Sequence, residues 1–381
     1  MRVCIAYDCL FPWTVGGAER WYRALAERLV AEGHEVTYLT RVQWEPGAEP
    51  RIPGVRVVAV SRADALYDDE GKRAIGPPLR FGLGVLRHLA RNRGSYDAIH
   101  LCSFPFFSLL AARAALAGTR LPLAVDWFEV WSRGYWEEYL GRLGGRIGYL
   151  VQGLCVLLTP RAFVFSALHE RRLRDEGLRG DVVRLRGLWG GDPADIPEPR
   201  PAADPPTVVF AGRHIPEKRA ASIPAAIALL PGVHARILGD GPERGAVLAE
   251  VRRLGLGDRV EVPGFVDAAD VADAMATATC LLLPSVREGY GLVVVEAARV
   301  GTPSVVVAAP DNAAVELVED GVNGVVAADG SPEALAAAIT AATPLRASTA
   351  AWFGRQAHEL SVGGSLDAVL AAYRRTSSIQ S

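Results

Sequence analysis

Two periodicities of apolar positions take turns along the chain. Short apolar runs of strand length, Arg2 to Ala6, Glu35 to Leu39, Val55 to Val60, Ala98 to Leu101, Leu123 to Asp126, Ala162 to Ser166 and Val182 to Leu185, are separated by stretches of helical spacing. The helical stretches are Gly17 to Glu32, closed by Gly33, then Gly76 to Arg93, Leu109 to Leu116, Tyr135 to Leu158 and Leu168 to Glu176. Strand, helix, strand in repetition predicts βαβ units, hence a parallel sheet covered by helices on both faces. The longest apolar run, Ile147 to Thr159, is too short to span a bilayer and predicts a buried helix.

Between Gly190 and Pro206 the pattern stops in a proline-dense stretch, DPADIPEPRPAADPP, which cannot hold regular structure and reads as a linker. The alternation then restarts with strands at Thr207 to Ala211, His234 to Leu238, Arg259 to Val262, Thr279 to Leu283, Ser304 to Ala308 and Gly324 to Val326. Helices are expected near Ser222 to Leu230, Pro242 to Leu254, Ala268 to Ala276 and Pro332 to Thr340, and one or two more over Ala351 to Arg375. A chain of 381 residues exceeds one ordinary core. The expected organisation is two doubly wound α/β domains, residues 1–190 and 207–351, joined by a linker at 191–206, their strand ends facing a cleft.

Composition narrows the function classes. Half the residues are hydrophobic, as buried parallel sheets require, and a net charge of −2 argues against nucleic acid as a partner. The five cysteines stand singly, without metal spacing, and read as reduced core residues of a cytoplasmic protein. The opening MRVCIAYD reads as a first strand without the shape of a signal peptide, and no transmembrane segment is expected. Lys72 and Lys218 are the only lysines, so a lysine in a suggestive place says more here than an arginine does.

The stretch from Pro284 to Pro303, PSVREGYGLVVVEAARVGTP, combines a strand end, a glycine loop and a helix that stops at Gly301-Thr302-Pro303. Backbone N–H groups at a helix start make an anion site, and Glu288 and Glu296, eight positions apart, can accept hydrogen bonds from hydroxyls on either side of it. Gly291 to Glu296 rises roughly 7 Å in a helix, and the loop extends this to about the length of a diphosphate. These spacings suit a sugar-diphosphate-nucleoside, Glu288 on one sugar and Glu296 on the ribose. The competing reading makes LVVV a buried strand that Glu296 merely ends.

Two further loops fit the same ligand class. Arg213 and Lys218, in VVFAGRHIPEKRA, leave the second domain's first strand and can neutralise a diphosphate leaving group. Gly16-Gly17, ahead of the first helix, permits close backbone approach to a phosphate but is not the dinucleotide fingerprint; taken alone, it reads more readily as a plain tight turn.

AGRHIPEK, LGDGPE, VPGFV, REGYGLVVVEAARVGTPSVV and ELVEDGVNG occur in the order and spacing of the family-four retaining glycosyltransferases of the GT-B fold, which the chain resembles, with GGAER at the N-terminal end. The resemblance implies two Rossmann-like domains and a C-terminal helix, within about residues 352–381, that crosses back to complete the first. It implies that Arg213 and Lys218 contact the donor diphosphate. Glu288 and Glu296 would hold the transferred sugar and the ribose, and the backbone of Gly289, Tyr290, Gly291 and Leu292 the phosphate. Phe265 and Val266 would lie beside the nucleobase, and Gly16 and Gly17 would belong to the donor site. It implies transfer of a sugar from a nucleotide-diphosphate donor to a small acceptor with retention, on one face of the sugar, with the leaving oxygen helping to deprotonate the acceptor. No cofactor and no metal is expected; Asp68-Asp69 reads as solvated surface.

The sequence departs from the family in the first domain. Asp126 stands roughly where members often carry a histidine, and in DAIHLC His100 is kept while Cys102 replaces a second histidine. Asp126 reads either as a catalytic base or acceptor ligand, or as a structural carboxylate capping the next helix; His100 reads more readily as a core residue. Trp127 and Trp131 lie in a dense aromatic run with Glu129, Glu137 and Glu138, which suits a polar ring acceptor such as an amino sugar or aminocyclitol, or simply an aromatic core. Leu79 to Arg93 could lie on an anionic membrane and serve a lipid acceptor, but its glycines favour an ordinary sheet-covering helix. An epimerase or sugar-phosphate synthase on the same donor site, and a non-catalytic nucleotide-sugar binder, remain as alternatives.

Overall fold

The structure, a computed structural model, describes residues 1–65 and 74–374; Asp68-Asp69 and Lys72 lie outside the described residues. The chain divides into two compact units, Met1–Gly190 with the segment from Ser361 onward, and Gly191–Leu360.

The first unit runs β1 (Arg2–Ala6), α1 (Gly17–Ala31), β2 (Glu35–Arg41), β3 (Val55–Ser61), α2 (Gly76–Asn92), β4 (Ala98–Cys102), α3 (Phe106–Ala115), β5 (Leu123–Trp127), α4 (Arg133–Leu158), β6 (Arg161–Val164), α5 (Ala167–Asp175) and β7 (Asp181–Arg184). Its strands form one parallel sheet in the order β3-β2-β1-β4-β5-β6-β7. Every residue of β4 and β5 is buried, as a central strand covered on both faces demands. On α1, Trp21, Tyr22, Leu25, Ala26 and Leu29 recur at helical spacing and are buried on the sheet, each large side chain contributing about 1.5–3 kcal/mol.

The second unit continues with β8 (Thr207–Ala211), α6 (Ile223–Ala228), β9 (His234–Leu238), α7 (Arg244–Arg253), β10 (Val260–Gly264), α8 (Ala268–Thr277), β11 (Cys280–Leu283), β12 (Arg287–Glu288), α9 (Leu292–Arg299), β13 (Ser304–Val307), β14 (Asp311–Asn312), β15 (Gly324–Ala327), α10 (Pro332–Ala342) and α11 (Arg346–Leu360). Its main sheet is parallel in the order β10-β9-β8-β11-β13-β15. Strand order therefore reverses direction between β8 and β11, the position where sheets of this kind bind ligands beyond the strands' carboxyl ends. The β-branched run LVVV is helical in α9, because β11 and β13 are parallel neighbours and need a crossover between them.

The proline-dense segment forms no helix or strand, as expected, and it packs with the second unit, where Arg200 pairs with Asp273 at 2.5 Å and Ala203 N–H donates to Thr277 C=O at 2.8 Å. Two local expectations need correcting. The return to the first unit begins at Ser361 and not near 352, since α11 stays with the second unit and only α12 (Val362–Arg374) belongs to the first. Finally, the apolar run Ile147 to Thr159 is not a buried helix. It lies in α4, which breaks at Gly141 (φ 73°, ψ 170°), and it leaves Ile147, Leu150, Leu154 and Leu157 exposed.

Candidate functional site

The loops that follow β8 and β11 leave adjacent parallel strands in the same direction and are tied together, Val286 N–H donating to Glu217 C=O at 2.9 Å. This brings Lys218 Nζ to 2.5 Å from Glu288 Oε1, across 70 positions of sequence. The pair is only partly shielded, the lysine side chain 21 % exposed and the glutamate 9 %. Arg213 stands on the same loop as Lys218 with its side chain exposed.

Glu288 is held from below by a feature the sequence reading did not foresee, a two-residue parallel pairing of β12 with β14. Arg287 there pairs with Asp311 at 2.7 Å. The buried Asn312 donates to the carbonyls of Ser285 and Val307 at 3.1 and 2.8 Å and accepts from Ala314 N–H at 3.0 Å. Its side chain thus stands in for backbone hydrogen bonds that so short a pairing cannot supply. Ser285 was also passed over: its hydroxyl is buried without a hydrogen-bond partner among the described residues, three positions before Glu288. A buried serine at the end of an apolar strand was the available signal.

Gly291 caps α9 in the left-handed region, φ 96°, and a Cβ there would sit 2.6 Å from the Ala314 Cβ. Only glycine fits that turn, and it aims the first N–H groups of α9 out of the loop. Tyr290 is buried, Gly289 and Leu292 are half-buried, and Glu296 is half-buried one turn along α9. Phe265 and Val266 follow β10, two strands away from β8; Phe265 is 74 % exposed and Val266 half-buried.

In the first unit the predicted residues meet in a different way. Asp126 and His100 are both fully buried. His100 Nε2 hydrogen-bonds Asp126 Oδ1 at 2.8 Å, and its Nδ1 lies 2.6 Å from the hydroxyl of Tyr373 on α12. The other carboxylate oxygen accepts from Trp21 Nε1 on α1 at 2.7 Å. Burial together with the Asp126 charge raises the Tyr22 and Tyr373 hydroxyls well above their ordinary range, so both stay protonated. This network locks the returning helix onto β4 and β5, which matches the structural reading of Asp126, although the carboxylate ties helices to strands and does not cap the following helix. As folded, neither oxygen of Asp126 is open to an acceptor. Trp127 is likewise fully buried, its Nε1 donating to Thr159 Oγ1 at 3.3 Å. Trp131 is half-buried against Tyr135, Trp136 and Tyr139, with ring centroids 4.7 to 5.3 Å apart, and its Nε1 donates to Glu129 at 2.7 Å.

Gly16 precedes α1 with extended backbone, and the carboxylate of Glu19 folds over it: a Cβ on Gly16 would lie 2.4 Å from Glu19 Oε2. The start of α1 therefore carries one of the chain's own carboxylates, a favourable charge for a helix N-terminus. Among the described residues no group of three or more His, Cys, Asp or Glu side chains is arranged to hold a metal ion.

Comparison with known proteins follows the division of the chain. A family profile described as glycosyl transferases group 1 matches residues 192–358, and one described as a glycosyl transferase 4-like domain matches residues 16–189. The lipopolysaccharide core biosynthesis glycosyltransferase LpsE of Rhizobium meliloti is 28 % identical over 332 residues, 85 % of this chain and 84 % of that protein. Among solved structures, sucrose-phosphate synthase from Thermosynechococcus elongatus superposes with a TM-score of 0.75 at 19 % identity, covering 97 % of this chain and 99 % of that one. Anabaena Alr3699/HepE in complex with UDP and glucose gives 0.72 at 20 %, with the same coverages. At such identities these two likenesses bear on the fold alone.

Proposed function

The chain belongs to the glycosyl transferases of group 1, with a glycosyl transferase 4-like first domain and the GT-B fold, and from that premise we propose that it moves a sugar from a nucleoside-diphosphate donor to a small hydroxyl-bearing acceptor with retention of configuration. The observation that carries this reading is the Lys218–Glu288 pair at 2.5 Å, beside the open start of α9 and where strand order reverses. The solved complex of HepE with UDP and glucose supports the donor class.

In this reading the diphosphate lies against the first N–H groups of α9, with Lys218 and Arg213 supplying the positive charge. Glu288, already oriented by Lys218 and by the β12–β14 pairing, accepts hydrogen bonds from the hydroxyls of the transferred sugar, and Glu296 from the ribose. The bond from the anomeric carbon to the phosphate oxygen breaks, and the bond to the acceptor oxygen forms on the same face. The acceptor's proton passes to the departing phosphate, so no protein base is required, and Asp126 is assigned no proton. The lysine, arginine and amide dipoles stabilise the leaving group without a metal or other cofactor. On the acceptor side, Trp131 with Tyr135 and Tyr139 offers faces for a polar ring and Glu129 a carboxylate for an amine. The five cysteines are buried thiols, which supports a cytoplasmic setting.

Incubating the protein with UDP-, GDP- and dTDP-sugars and identifying the released nucleotide tests the donor class, and the anomeric configuration of the product tests retention. Nucleotide binding with no release from any donor in the presence of acceptors would return the binder reading, and an inverted product would remove the same-face mechanism. Equal transfer to amine-bearing and neutral ring acceptors would remove the role given to Glu129.

A further inference from the structure

At the carboxyl ends of β2 and β3 the first unit has an open cavity of about 340 Å³, lined chiefly by Arg41, Gln43, Trp44, Glu45, Ala63 and Asp64. The register of the two strands slips there: Thr40 faces Ala59 but Arg41 faces Ser61, so β3 carries one extra residue. A bulge of this kind is rare between parallel strands and re-aims the side chains beside it. Arg41, the last residue of β2, is half-buried and has no acid on its guanidinium among the described residues. Its Nη1 makes only long contacts, 3.4 and 3.3 Å, to the carbonyls of Val42 and Asp64, and its Nε is buried without a hydrogen-bond partner. The Asp64 carboxylate is already taken by Arg80 at 2.7 Å and Arg62 at 3.4 Å, and the Arg80 hydrogen bond holds it below its ordinary pKa. Glu45 lines the same cavity but is exposed and does not pair with Arg41. A guanidinium in this state is a cation with its partner missing.

The rest of the wall is aromatic and held in place. Trp44 is half-buried and is backed by Trp13, 38 % exposed, with ring centroids 6.1 Å apart and planes at 66°. Gln43 clamps the loop that carries Trp13 to the one that carries Trp44. Its Oε1 accepts from Leu10 N–H at 3.1 Å and from the Thr14 hydroxyl at 2.6 Å, while its Nε2 donates to Thr40 Oγ1 at 3.0 Å and to Arg41 C=O at 3.3 Å. Both polar atoms of Gln43 are spent on this frame, so the wall is set before any ligand arrives.

We propose that the cavity holds a sugar unit bearing an anionic oxygen group, a carboxylate or a phosphate. The group meets Arg41, the ring lies against Trp44, and ring hydroxyls donate to Glu45. An inorganic anion would use Arg41 and leave the indole and Glu45 without a role, and an apolar ligand would leave the guanidinium unmet. On the reading of the chain as a glycosyltransferase, on which this step rests, the unit belongs to the acceptor but is not the one that reacts. β2 lies three strands from β5, about 14 Å across the sheet, and the loop after β5 carries Trp131. An acceptor that meets both aromatic platforms is an oligosaccharide with one acidic unit and not a single ring.

The test is isothermal titration calorimetry on the full chain, without nucleotide, using glucuronate, glucose 6-phosphate, glucose and inorganic phosphate. The two charged sugars are expected to bind about tenfold more tightly than glucose or phosphate. Arg41→Gln should abolish that preference, and Trp44→Ala should weaken both charged sugars several-fold while leaving phosphate unchanged. Both variants should keep the wild-type melting temperature and nucleotide affinity. Lys218→Ala should bind the charged sugars as wild type does, which separates this cavity from the donor loops. Failure of both charged sugars to bind, equal binding of glucose, or unchanged binding by Arg41→Gln would overturn the inference. So would phosphate binding as tight as that of glucose 6-phosphate, which would leave an anion site alone, or binding lost in Lys218→Ala and kept in Arg41→Gln. Whether the chain transfers a sugar is read separately, by nucleotide release, so the two readings fail independently.

Discussion

Each unit of this chain joins a carboxylate to a nitrogen base across a long stretch of sequence, and the two arrangements do opposite things. In the first unit Asp126 and His100 are wholly buried, with every side-chain oxygen and nitrogen engaged by Trp21, Tyr373 or each other. In the second, Glu288 and Lys218 share one short contact at the end of the sheet, next to a glycine turn, and the lysine remains 21 % exposed. The first set sits inside the central strands β4 and β5; the second sits beyond the carboxyl ends of β8 and β11, Glu288 in the two-residue β12. A carboxylate within a central strand is desolvated by both helix layers and persists only when fully satisfied, whereas a loop at a strand's carboxyl end can keep its charge available to a ligand. Position along the strand, and not residue type, separates the fully enclosed acid from the partly exposed one here.

That contrast can be broken by experiment, starting where the effect is greatest. Asp126→Ala strands a buried imidazole and an indole N–H, and should cost about 3–5 kcal/mol of unfolding free energy in a denaturant titration. A stable Asp126→Ala protein that had lost only transfer would reverse the assignment of the first network. Lys218→Ala should do the reverse, lowering turnover by about 10²–10³-fold while the denaturation midpoint stays near wild type, the pair being partly screened by solvent. Unaltered turnover would remove the leaving-group role. Gly291→Ala forces a Cβ against Ala314 at φ 96° and should cost about 1–3 kcal/mol, with nucleotide affinity falling too as the start of α9 moves. Tyr373→Phe takes one hydroxyl from His100 and should cost about 1 kcal/mol, with turnover unaffected.

The smallest expected effect concerns pH. His214, buried next to Arg213, has its imidazole pushed below its ordinary 6.5, first by burial. The unfolded chain therefore takes up that proton before the folded one does. Its stabilising share is complete above pH 6.5 and is lost progressively as pH falls below it. His34 and His88 are lowered in the same direction by burial, so His214→Asn should flatten the acid-side slope of stability without abolishing it. A slope identical to wild type would show that His214 does not contribute.

Much of this was legible beforehand, and for a physical reason. Period-two and period-3.6 patterning reports which face of a local segment is buried, so the βαβ succession, the parallel sheets and the order of the donor-side motifs follow from the residues themselves. Helical structure in LVVVEAAR could be argued over its β-branched composition because Gly301 and Pro303 demand a stop and the next strand demands a crossover. What local pattern cannot report is which side chains meet across the fold. His100 and Tyr373 are 273 positions apart, Lys218 and Glu288 are 70, and the β12–β14 pairing that braces Glu288 is too short to have a period at all. The same holds for α4, whose apolar run predicted burial equally well on either face; only its placement over α3 determined that Leu143, Leu150 and Leu157 would face solvent. Periodicity is a property of neighbours along the chain, and contact and exposure are properties of neighbours in space.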